Sequence, residues 1–180
     1  CDCDGNVDLG CGCGEAGPSG CDDECGSTLE NDECGVCGGD GSDEGFNCEG
    51  VPLDFVYNQS MGQAFYYFYT VTINGDNVDA DDWVGAFNGD VCVGSLQWDV
   101  SMCGEGGICA VPAMGDDGFN WSEGYMLPGD IPTFKIYDAS EDSYYDAVIT
   151  GEFTNYEGDI ISGAWYNFGF NIADNLNAEP

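Results

Sequence analysis

The chain has no histidine, no arginine and a single lysine, Lys135, among 180 residues. Those absences exclude a good deal. Triads that use His as a base and arginine clamps for phosphate are not available. Nucleic-acid backbones need Lys and Arg to displace their counterions, so no nucleic-acid partner is expected. The same charge argues against an anionic membrane surface, and no apolar run reads as a membrane-inserting segment. Mixed Cys/His zinc sites and CxxCH haem attachment also drop out. A carboxylate-pair glycosidase survives as formal chemistry, but nothing singles out such a pair. The expectation is that the chain is not an enzyme.

The first fifty residues lack something else, namely apolar bulk. Phe46 is their one aromatic residue, and the other sizeable apolar side chains are Val7, Leu9, Leu29 and Val36. Burial of so few groups cannot offset the ordering of fifty residues. What the segment holds instead is nine cysteines, fourteen Asp or Glu and thirteen Gly. Disulfides between the cysteines and cations between the carboxylates are the two means of holding it. Twelve cysteines in the whole chain point to an oxidising, extracellular or cell-surface location. All-Cys zinc or a cluster would leave the carboxylates unexplained.

The net charge is −34. Such a chain repels itself unless cations neutralise it or the surrounding salt is high. General halophily would spread acids evenly, whereas here Asp is also grouped in short runs punctuated by Gly. Hard oxygen ligands in such loops suit Ca²⁺, which is the expected cofactor. No signal peptide is visible, so the sequence reads as a mature, processed form. Two sequons, at Asn58 and Asn120, are candidate glycosylation sites. Cys1 reads as a disulfide half, with lipidation as the alternative.

Composition shifts near residue 50, which gives a Cys/Asp-rich arm over 1–50 and a second domain over 51–180. The second part holds 23 of the 24 aromatic residues and three cysteines, Cys92, Cys103 and Cys109. Eight segments, 53–57, 64–73, 83–87, 91–98, 108–111, 132–137, 144–149 and 165–172, are rich in β-branched and aromatic residues with turn signals between them. An all-β fold is expected: an antiparallel β-sandwich preceded by an irregular arm stabilised by disulfides and calcium. In the run from Phe65 to Tyr69 both strand faces are aromatic. One face belongs in the core. The other suits the arm, a neighbouring copy or a sugar.

Candidate calcium ligands follow from alternating oxygen side chains around Gly. Asp2, Asp4, Asn6 and Asp8 form one such run. Asp40, Ser42 and Glu44 look like the first half of an EF-hand loop without its closing Glu. Asp22 and Asp32 complete the arm's set, and Asp76, Asp79 and Asp81, with Asp82 beside them, crowd a loop before Trp83. Cysteine parity gives a second expectation. Cys103 and Cys109 bracket a Gly-rich loop and suit each other, which leaves Cys92 free to bond an arm cysteine and staple the sandwich to the arm, the alternatives being an intersubunit disulfide or a lipidated Cys1. Cys34 and Cys37 are further disulfide halves, and spacing alone does not fix the pairing.

Residues 2–13 resemble the thrombospondin type 3 repeat, whose pattern DxDxDGxxDxxDxC Asp2, Asp4, Gly5, Asp8 and Cys13 match. The pattern's first Asp would lie before residue 1 and Cys11 stands where its last Asp belongs, so the site is incomplete within this sequence or completed from elsewhere. The string Cys34-Gly35-Val36-Cys37-Gly38-Gly39-Asp40 is similar to the CGVCGGD segments of secreted disulfide-rich repeats. Stretches 83–94 and 129–138 resemble a β-sandwich module of secreted bacterial surface proteins. These resemblances imply an exported, calcium-using module without a catalytic assignment. The preferred expectation is a self-assembling subunit of a surface filament or layer, its partners being copies of itself, with the C-terminal tail 171–180 or the arm reaching the next copy. The alternative is a carbohydrate-binding or adhesion module of a larger secreted protein, with Trp98, Trp121 and Trp165 as candidate sugar platforms.

Overall fold

The computed structural model describes residues 7–104 and 108–179. The chain forms two compact units, Cys1–Leu53 and Asp54–Pro180. No α-helix occurs among the described residues.

The first unit carries one short hairpin, β1 (Pro18–Ser19) with β2 (Glu24–Cys25). Its order comes from three disulfides, Cys11–Cys25, Cys21–Cys37 and Cys34–Cys48. Each loop opens before the previous one closes, so the three are chained. Cys13 is disulfide-bonded as well. Val7, Leu9, Leu29 and Val36 are exposed, as their small number anticipates.

The second unit is a curled sheet built from β3 (Gly62–Ile73), β4 (Asp76–Asn77), β5 (Trp83–Asn88), β6 (Val91–Gln97), β7 (Cys109–Gly115), β8 (Thr133–Asp138), β9 (Ser143–Thr150), β10 (Phe153–Thr154), β11 (Ile160–Ile161) and β12 (Phe170–Ala178). The order is β11-β10-β12-β9-β8-β5-β6, with β3 pairing β12, β4 and β7. Pairing is antiparallel except for β3 with β12, which run parallel from Phe65↔Phe170 to Ile73↔Ala178. In β3 the buried positions are Ala64, Tyr66 and Phe68, then Val71, with Thr72 covered on the outer side by its bonds to Asn175 and Asn177; in β12 they are Asn171 and Ala173, then Leu176 and Ala178. Both strands change phase together near Tyr69 and Asp174. Their first halves pair with β7 and β10 and their second halves with β4 and β9. The pair thus turns the corner of the curled sheet, as strands shared between two layers do.

The core packs Tyr66 and Phe68 edge-on against Phe134, with Ile136, Val84 and Leu176 fully buried. Tyr66 donates its hydroxyl to the Gly163 carbonyl at 3.0 Å, which satisfies a polar atom that burial would otherwise penalise. Gly94 of β6 lies where a Cβ would fall on the Pro112 carbonyl of β7, so only glycine permits that approach.

Four expectations are corrected here. Segment 53–57 is not a strand: Leu53–Phe55 is a 3-10 turn that plugs Phe55 against Phe87 and Tyr144. Trp165 precedes the last strand, which runs nine residues from Phe170. Residues 171–178 are therefore no free tail but a central strand, paired with β3, β9 and β10. Cys92 staples nothing; it is a buried free thiol in β6. Burial pushes that thiol up to about 11, away from thiolate reactivity. Cys103 and Cys109 do pair with each other.

Candidate functional site

The arm's acidic residues act first on their own backbone. Asp32 accepts the amides of Cys34 and Val36 on Oδ1, at 2.9 and 2.8 Å, and that of Gly41 on Oδ2 at 2.9 Å. Asn47 repeats the arrangement with the amides of Glu49 and Val51. Asn155, in the second unit, repeats it again with Glu157 and Asp159. The backbone closes each loop identically. The Asx amide donates to the carbonyl four residues on, and the amide three residues on donates back to the Asx carbonyl. The third residue after the Asx is Gly35, Gly50 or Gly158, with φ between +76 and +87. A left-handed residue is required there, and glycine adopts it without strain. Among the described residues Asx-x-x-Gly-x thus closes into a five-residue loop at Asp32, Asn47 and Asn155, though not at Asp23. Asp8 is a looser version, accepting Gly10 and Gly12 at 2.8 and 3.1 Å.

These bonds account for the carboxyl groups' acidity. The Val36 amide, then those of Gly41, Cys34 and Gly35, hold Asp32 below its ordinary value against some desolvation. The Gly10 and Gly12 amides do the same for Asp8, and the Ser27 hydroxyl leads for Asp22. Glu33, which sequence reasoning passed over, accepts both the amide and the hydroxyl of Ser42. In the 76–82 loop Asp76, Asp79 and Asp81 are exposed. The buried member is Asp82, whose carboxylate accepts the amides of Asp79 at 2.7 Å and Ala139 at 2.9 Å. Burial pushes it up from its ordinary value.

The candidate calcium ligands are distributed accordingly. Asp2, Asp4 and Asn6 lie outside the described residues. Asp32, Asp40 and Ser42 line one arm cavity of about 350 Å³, together with Asp43 and Asn47, while Glu44 is not among its walls. Among the described residues, no three His, Cys, Asp or Glu side chains come together as a metal-holding group. Among the described residues the arrangement suits turn stabilisation. Lys135 pairs with Asp146 at 3.2 Å and lies over the Phe87 ring. Asn58 and Asn120 are both exposed.

The aromatic candidates separate clearly. Trp98 and Trp165 are core residues, the latter donating its indole N–H to the Ala113 carbonyl. Trp121 is half-exposed and stacks on Phe119 with ring centroids 4.4 Å apart. The aromatic surface that sequence reasoning left open is the outside of the β3–β12 pair. Tyr67 and Phe170 lie nearly parallel, 14° apart with centroids at 5.9 Å, and Phe65 packs beside Phe170. Past the corner the same outer side carries Thr70, Thr72, Asn175 and Asn177, which bond across the strands. These walls form a groove of about 790 Å³.

No family model matches the chain, and no solved structure does. Among curated proteins it is 47% identical over 64 residues to a disintegrin and metalloproteinase with thrombospondin motifs, gon-1, of Caenorhabditis elegans. The match covers 33% of this chain and 3% of that protein, so the chain spans a small fraction of the relative's length. The likeness fits a thrombospondin-type, disulfide-rich module. The resemblance to bacterial surface modules has no counterpart in these comparisons.

Proposed function

We propose that the chain is an extracellular module for structure and adhesion. The arm serves as a covalently chained, separately ordered unit, and the curled sheet presents a binding face. The observation that carries this reading is the overlap of the three disulfide loops in a segment with almost no apolar core. Such a segment keeps its shape only where thiols stay oxidised. The thrombospondin motifs named in the C. elegans relative support the same class of module. Non-reducing peptide mapping of chain recovered from its producer tests it. The expected result is the three arm bridges intact in surface or medium fractions. Recovery of a cytosolic chain with reduced arm cysteines overturns it.

Calcium enters this reading as a cation that offsets the arm's crowded carboxylates, since a net charge of −34 repels itself. The exposed sequon residues Asn58 and Asn120 are proposed as glycan carriers. Assembly with copies of the chain into a filament is the second reading, favoured by the exposed apolar outer face of β3 and β12. Light scattering over a concentration series, with and without calcium, distinguishes a growing assembly from a monomer.

A further inference from the structure

We propose that the outer side of the β3–β12 pair binds a neutral, hydroxyl-rich polysaccharide along the strands, its sugar faces on Tyr67 and Phe170 and its hydroxyls in the groove of Thr70, Thr72, Asn175 and Asn177. The inference deepens the adhesion reading and rests on it for the place where such a ligand is met.

Three observations carry it. The first is charge. The chain has 35 Asp and Glu side chains and one Lys, yet the platform of Tyr67 and Phe170 holds neither and Glu179 is the one charged side chain lining the groove. Asp174 stands at the corner, and Glu179 on the groove wall accepts from Asn177 Nδ2 at 3.5 Å, so two carboxylates border the strip. A polyanion, or a second copy at −34, meets a repulsive field before it meets the face, whereas a neutral chain does not. The second is chemistry. Nearly parallel rings offer apolar area at little conformational cost, and the threonines and asparagines beyond them offer uncharged donors and acceptors. The side chains of Asn77 and Thr150 on the groove wall hold no hydrogen bond among the described residues. The third is length. β3 is twelve residues long, about 40 Å of extended strand, which suits a linear ligand better than a compact one.

The test uses the full oxidised chain in affinity electrophoresis and pull-down. The probes are galactomannan, xylan, cellulose and chitin, with alginate as the anionic counterpart. Saturable retention by at least one neutral probe, and none by alginate, is expected. Phe170→Ala and Tyr67→Ala should each weaken it about tenfold. Asn175→Ala with Asn177→Ala should weaken it similarly, while Phe170→Tyr retains binding and Trp121→Ala leaves it unchanged. Equal thermal midpoints by tryptophan fluorescence show that a weakened variant is still folded. Four results overturn the inference: no retention by any neutral probe, preference for alginate, indifference to Phe170→Ala, or a concentration-dependent dimer abolished by Phe170→Ala. Oxidised chain at the cell surface without glycan binding defeats this inference alone. Reduced chain in the cytosol defeats the extracellular reading whatever the glycan result.

Discussion

Removal of the middle disulfide, by Cys21→Ser with Cys37→Ser, isolates what holds the arm. The bridge spans 16 positions, and closing a loop of that length in the unfolded chain is worth about 3 kcal/mol. Little stands behind it. Leu29 and Val36, the apolar residues within the loop, are about half exposed. Two backbone bonds tie the segment at 29–30 to its neighbours, Cys21 N–H to the Leu29 carbonyl at 3.0 Å and Gly38 N–H to the Glu30 carbonyl at 2.9 Å. Together they return about 2 kcal/mol net. That is less than the constraint removed, so the loop should open as a local event. Cys11–Cys25 and Cys34–Cys48 would remain as separate closed loops.

The assay follows from composition. The arm has no Lys or Arg, so trypsin does not cut it, whereas a Glu-specific protease reaches Glu24, Glu30 and Glu33. Cleavage after Glu30 and exchange of the Gly38 amide should accelerate about a hundredfold in the variant. All four tryptophans lie in the second unit, so the tryptophan melt should not move. Unchanged cleavage and exchange would refute the argument that covalent chaining holds the arm. A tryptophan melt falling in step would refute the independence of the two units.

Four further outcomes are expected. Asp82→Ala leaves the Asp79 and Ala139 amides without their acceptor, which should cost about 2–3 kcal/mol in chemical denaturation; a loss under about 0.5 would deny Asp82 that role. Gly94→Ala forces β6 from β7 and should cost about 1–3 kcal/mol, with a neutral result refuting the close approach at Pro112. For Asp8 and Asp32 the folded pKa is lowered, so their contribution is fully present above the ordinary value of 3.8 and is lost as pH falls through the lowered value. Carboxyl NMR titration checks this, and midpoints at or above 3.8 would sink it. Calcium and magnesium should raise the arm's resistance to the Glu-specific protease equally at matched ionic strength, since no cage is assembled among the described residues; a saturable rise with micromolar calcium alone would establish a dedicated site.

Much of the second unit was legible because its strands are long, apolar and bounded by turn residues. β12 was not. Its sequence Phe-Asn-Ile-Ala-Asp-Asn-Leu-Asn-Ala is rich in poor strand formers, and pairing on both sides overrides that preference. The phase change near Asp174 also breaks the alternation that would have revealed its faces. Cys92 misled because parity treats every thiol as a disulfide half, while a buried cysteine also serves as a small apolar residue. The acidic loops were ambiguous for a different reason. Asp or Asn followed by Gly three residues on satisfies both a calcium loop and a closed Asx turn, and composition does not reveal which way the oxygens face. The repeat of Asx-x-x-Gly at Asp32, Asn47 and Asn155 was the available signal.

The long-range field and the local surface select partners at different distances, which separates the two readings of the exposed face. At physiological salt the field of the carboxylates decays over about 8 Å, so it governs approach and leaves seated contacts to the strip itself. For a second copy the approach term is repulsive and scales with both charges, so association of copies should strengthen steeply as salt rises. For a neutral polysaccharide that term is nearly zero. Stacking on Tyr67 and Phe170 and hydrogen bonding to Asn175 and Asn177 should then be close to indifferent to salt. An occupant whose affinity is flat between low and high salt is therefore a neutral one, and an occupant that arrives only in high salt or with divalent cations is another copy of the chain.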